Sequence, residues 1–114
     1  MNIRNYTDND YNVVSEWCKS YGLIPYHKDS LSTCGFIIDD ICAGWLYKTN
    51  SGLCFMENFI ANKNVSRTIR SKGIDALFFK LEDEAKKDNY KFVIATSNVS
   101  NMKKRIINNF TLLV

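Results

Sequence analysis

One helix lying between two apolar strands constrains this chain more than any other feature. Leu53 to Asn62 (LCFMENFIAN) reads as a strand. Ile74, Leu77, Phe78, Leu81 and Ala85 then recur at helical spacing, and Lys91 to Thr96 (KFVIAT) reads as a second buried strand. Glu82, Asp83, Glu84, Lys86 and Lys87 fall mostly on the opposite side and are expected to face water. Strand, helix and parallel strand make a βαβ unit. A polar, basic turn from Lys63 to Lys72 precedes the helix and places Gly73 near its start. Amides at a helix start are unpaired and the dipole is positive there, so this end suits a phosphate.

The chain before this unit reads as a meander with one helix. Asn2 to Tyr6 alternates as a short strand. Asp8 suits an N-cap for a helix carrying Tyr11, Val14, Trp17, Cys18 and Tyr21, which Gly22 ends. Leu23 to Thr33 is irregular, with a helical turn expected near Lys28 to Ser32. Cys34 to Asp39 and Ile41 to Thr49 are apolar strands joined across Asp39-Asp40, and Asn50-Ser51-Gly52 turns the chain into Leu53. After Thr96, Asn98 to Asn108 is compatible with a short basic helix, and Thr111 to Val114 with a final strand. The expected class is α+β, with a central, mostly antiparallel mixed sheet flanked by helices.

Composition narrows the function classes. At 114 residues the chain suits one domain, and 46% hydrophobic with 24% charged residues is ordinary for a globular protein. A net charge of +3 permits an anionic ligand without demanding nucleic acid. Between Lys63 and Lys72 there are no aromatics to stack on bases, so nucleic-acid binding ranks last. No signal core and no run of about 20 apolar residues is present, so a cytoplasmic location is the expectation. Cys18, Cys34, Cys42 and Cys54 lack C-x-x-C spacing and read as reduced thiols. With one histidine and no ligand cluster, no metal is expected.

The element order and the sequence Arg70-Ser71-Lys72-Gly73-Ile74-Asp75 resemble the GNAT superfamily of acyl-CoA-dependent N-acyltransferases, across nearly the whole chain. That family's signature reads roughly Arg/Gln-x-x-Gly-x-Gly/Ala, and Asp75 departs from it at the last position. Asn98, Asn101, Arg105 and Asn109-Phe110 stand where the family often shows Asn-x-x-Ala, Tyr and Gly-Phe. The family commonly carries one further strand, which this chain lacks by this reading. The open edge that follows implies a homodimer through the edge or a shielding loop.

The resemblance implies acetyl-CoA as co-substrate and an amine as acceptor, with direct transfer. Arg67, Arg70, Ser71, Lys72 and Gly73 would hold the pyrophosphate, with Asn98 and Arg105 also on the cofactor side. Glu57 is the matching base for the amine proton. Backbone amides near Phe59, Ile60 and Ala61 would stabilise the oxyanion. Arg105 stands where a tyrosine often protonates the leaving thiolate, and an arginine cannot act as that acid at neutral pH. Tyr47 and Tyr90 remain unplaced alternatives.

Simpler readings stand beside these. Gly73 either admits a ligand or lets helix pack closely on sheet, and its neighbouring cations either bind phosphate or are solvated. Asp75 would repel a pyrophosphate unless it points away. Glu57 is a base or an edge charge, His27 a surface residue or an acceptor contact, and Trp17 and Trp45 core residues. The rival from another class is a catalytically inactive GNAT-fold protein that binds a macromolecule. Compact size and an Asn-, Lys- and Ile-rich composition would suit a phage or mobile-element source.

Overall fold

A computed structural model describes residues 1–95 and 111–113 of the chain. Six strands form one sheet in the order β1 (Ile3–Asn5), β2 (Cys34–Ile38), β3 (Cys42–Lys48), β4 (Leu53–Ala61), β5 (Phe92–Ala95) and β6 (Thr111–Leu113). From β1 to β4 successive strands pair antiparallel, while β4 and β5, and β5 and β6, pair in parallel. The protein is therefore α+β with a mixed sheet. The helix expected within residues 98–108 lies outside the described residues.

Among the described residues, one helix covers each face of the sheet. Helix α1 (Tyr11–Ser20) packs Val14, Trp17 and Cys18 against Ile37, Ala43, Trp45 and Ile60. Helix α2 (Arg67–Lys87) packs Ile74, Leu77, Phe78, Leu81 and Ala85 against Phe36, Ile38, Cys42, Leu46, Cys54, Met56 and Val93. The strands supply both sets because successive residues alternate between the faces. Trp45 is fully buried and Trp17 nearly so, both in the core as expected. Glu82 departs from the solvated face expected of it: it is buried and ion-paired with Lys86 at 3.1 Å.

Local chemistry explains the boundaries. Gly22, at φ 71°, ends α1, and the Leu23 amide donates back to the Cys18 carbonyl at 3.1 Å. At the other end Asp8 is not the cap; a 3₁₀ turn, Asp8–Asp10, leads into α1, and the Thr7 amide donates to Asp10 Oδ2 at 2.8 Å. The hairpin at Asp39-Asp40 places Asp40 in the left-handed region, at φ 64°. The turn expected near Lys28 to Ser32 is a 3₁₀ turn at Lys28–Ser30.

Edge strand β1 is tied to the rest by charge. Arg4 holds Asp10 (2.6 Å) and Asp39 (2.7 Å), linking β1, the start of α1 and the β2–β3 hairpin. Hydrogen bonds from Arg4 hold both carboxyls below the usual carboxylate range. A carboxylate with a depressed native pKa stabilises the fold above its unfolded value, near 4, and that contribution is lost as pH falls through the native value. Arg4→Met should therefore lower the urea midpoint at pH 7. The gap from the natural protein should narrow progressively below pH 4, as followed by circular dichroism.

Candidate functional site

Strand β4 changes faces part-way along its length. Cys54 and Met56 point to the α2 side, yet so do Phe59 and Ala61, while Ile60 points to α1. The switch from even to odd positions requires an extra residue. Ala43 pairs with Ile60 and Trp45 with Glu57, so Asn58 and Phe59 together stand opposite Gly44. Asn58 takes the left-handed conformation, φ 63°, that makes this bulge possible, and asparagine tolerates it better than other non-glycine residues.

Contacts hold the bulge from both faces. On the α2 side, Phe59 stacks on Phe78 with centroids 5.0 Å apart and planes 11° from parallel. Gly44 makes room for that ring, since a Cβ there would lie 2.7 Å from it. On the α1 side, Asn58 Nδ2 donates to Tyr47 Oη at 2.6 Å, and Tyr47 Oη donates to the Ser30 carbonyl at 3.0 Å. Burial pushes the Tyr47 pKa up, so the hydroxyl keeps its proton. Glu57 is half-buried opposite Trp45, and its charge is felt at Tyr47.

The parallel pairing of β4 with β5 runs only from Leu53↔Phe92 to Met56↔Ala95. Residues 57–61 of β4 have no strand partner on that side among the described residues. The bulge, with Glu57, Phe59, Ile60 and Ala61, thus lies just beyond the last pair of β4 with β5 among the described residues.

The helix start lies elsewhere than the sequence suggests. Ser66 caps α2 by accepting from the Ile69 amide at 3.2 Å, and the Arg70 amide already donates to the Ser66 carbonyl at 2.9 Å. Gly73 is then the seventh residue of α2, not a residue of its opening. Amides from Ser71 onward are taken by the helix ladder, so residues 70–73 offer no free donor row. Of the two readings of Gly73, close packing is the one observed: a Cβ there would lie 2.7 Å from Cys42 Sγ and 2.8 Å from Ile41 Cγ2. The amides of α2 outside its ladder belong instead to residues 66–69, of which that of Ile69 is already held by Ser66.

The cations divide accordingly. Arg70 Nη1 donates to the Lys63 carbonyl at 3.0 Å and braces the β4–α2 connection. Lys63 donates to the Ser20 carbonyl at the end of α1, at 3.3 Å. Arg67 and Lys72 are exposed, Arg67 in the first turn. Asp75 lies about 13 Å along the helix from Ser66, beyond a Debye length of about 8 Å. Its charge is therefore largely screened from an anion at the helix start. Asn98 and Arg105 lie outside the described residues.

Other candidates settle into supporting roles. His27 is exposed, and its Nδ1 accepts from the Asp29 amide at 3.2 Å, capping the turn. Tyr90 donates to the Thr49 carbonyl at 2.6 Å. All four cysteines are free, and burial lifts Cys42 to about 12 and Cys54 to about 11, far from thiolate chemistry at neutral pH. No metal-binding group of three or more His, Cys, Asp or Glu occurs among the described residues, and no helix there is long and apolar enough to cross a membrane.

Comparison with protein-family models and with curated proteins gave no match for this chain.

Sequence reading missed the clamp of Asn58 and Tyr47. An asparagine inside a strand, where it is disfavoured, was the available signal. Gly73→Ala should destabilise the fold, because overpacking costs about 1–3 kcal/mol against a helix-propensity gain of about 1 kcal/mol. Urea denaturation measures this. Unchanged or increased stability would remove the packing role assigned to Gly73.

Proposed function

We propose that this domain is an acyl-CoA-dependent N-acyltransferase of the GNAT type, moving an acetyl group from acetyl-CoA to an amine. The observation that carries the reading is the bulge of β4, which directly follows Glu57 and lies beyond Met56↔Ala95, the last pair of β4 with β5 among the described residues. The antiparallel meander, the parallel β4/β5 pair and the crossover helix α2 support it. So does the resemblance of residues 70–74 to the family signature.

Each part has a chemical task. Acetyl-CoA supplies an activated thioester carbonyl. Glu57 accepts the proton that the amine loses as the C–N bond forms and the C–S bond breaks. Amides of residues 59–61 donate to the carbonyl oxygen as it gains charge. The first turn of α2, with Arg67, takes the pyrophosphate through free amides, the helix dipole and a charge-assisted bond. The signature segment itself is assigned to packing and bracing, through Gly73 and Arg70.

A second reading is favoured by one observation. Residues 70–73 lie wholly inside α2, and the contacts of Gly73 account for it without a ligand. That suits an inactive GNAT-fold protein that binds a macromolecule.

Calorimetric titration with acetyl-CoA and with CoA separates the two. Micromolar binding supports the acyltransferase reading, and no binding at millimolar ligand removes it. Arg67→Ala should weaken CoA binding roughly 10-fold, the equivalent of one charge-assisted hydrogen bond. Glu57→Gln should lower the transfer rate by about 10²–10⁴-fold while leaving the acetyl-CoA Kd unchanged.

A further inference from the structure

Tyr47 joins two parts of the molecule that the sequence leaves unrelated. The Ser30 carbonyl can only accept, so Tyr47 must donate to it. The Tyr47 oxygen is then left to accept from Asn58 Nδ2. The direction of this relay is fixed: Asn58 amide to Tyr47 hydroxyl to Ser30 carbonyl. At one end stands the left-handed residue that creates the bulge. At the other stands a turn that His27 staples into a unit, since the Ser30 amide (2.9 Å) and Ser30 Oγ (2.7 Å) both donate to the His27 carbonyl.

We infer that Tyr47 is a positioning residue that couples the Lys28–Ser30 turn to the acyl-binding bulge of β4. The inference rests on the acyltransferase reading and deepens it. A shift of the turn moves the Ser30 carbonyl, and with it the hydroxyl that holds the Asn58 side chain. Because Asn58 sets the backbone direction into Phe59, the amides that follow change their aim. An acceptor leaning on the exposed turn therefore adjusts the site that holds the acyl carbonyl. By linkage, a ligand at the bulge must also alter the turn.

Backbone amide resonances of the isotope-labelled protein test this, with acetyl-CoA and CoA as probes. In the natural protein acetyl-CoA should shift signals of residues 57–60 and also of residues 29–31, whereas CoA, lacking the acyl group, should leave residues 29–31 unmoved. In Tyr47→Phe, which keeps the ring, the response of residues 29–31 should vanish. The preference for acetyl-CoA over CoA should fall severalfold, with the CoA Kd within about twofold of its original value. Asn58→Gly retains access to the left-handed backbone but removes the relay donor, and should give the same loss; it decides the matter if Tyr47→Phe does not fold. A persistent response of residues 29–31 with preserved acetyl-CoA preference in the folded variant overturns the coupling alone. Failure of the natural protein to bind either probe removes the acyltransferase reading and this inference together.

Discussion

The extra residue in β4 is the constraint on which the rest of the site depends. Before it, β4 gives Cys54 and Met56 to the α2 core. After it, the same strand must still give Ile60 to α1 and Phe59 and Ala61 to α2. Were Asn58 taken into regular register instead of a bulge, every later side chain would exchange faces, placing Phe59 against α1 and Ile60 against α2. Gly44 on the neighbouring strand is part of the same solution, because the rotated Phe59 ring occupies the space that a side chain would need. A core requirement and a candidate site thus share one backbone distortion.

A left-handed residue in a strand persists only where its surroundings over-determine it. Here Phe59 is held between Gly44 and Phe78, and Asn58 is held through Tyr47 to Ser30. The same economy appears at α2. Gly73 brings the helix against Cys42 and Ile41, and those residues lie at the hairpin end of β3, close to where β4 leaves the sheet. The Asn62 amide donates to the Ile41 carbonyl at 2.7 Å, and Asn62 Nδ2 to the Asp40 carbonyl at 2.8 Å, so the connection into α2 is pinned to that hairpin. Helix start, hairpin and bulge are consequently placed relative to one another by short contacts.

Much of the fold was legible because its signals are local. The spacing of Ile74, Leu77, Phe78, Leu81 and Ala85 announced the buried face of α2, and Gly22 the end of α1. Apolar runs bounded by turn residues announced β2, β3 and β4. The site was less legible. Ser66 is an ordinary N-cap residue, but the basic turn and Gly73 drew the expected helix start further along the chain. Glu82 sits within a charged run that reads as solvated, and only the fold shows it buried.

Sequence by itself determined which of the described segments become helices and strands, because hydrophobic period, caps and turn residues act between neighbours. It also determined that the four cysteines lack ligand spacing, three of them lying inside apolar segments. Tertiary structure alone decided the bulge, the relay from Asn58 through Tyr47 to Ser30, and the packing role of Gly73. Residues 30, 47 and 58 are distant along the chain, and their spacing carries no period. They meet only because antiparallel register places β3 beside β4 and a fixed loop closes over them.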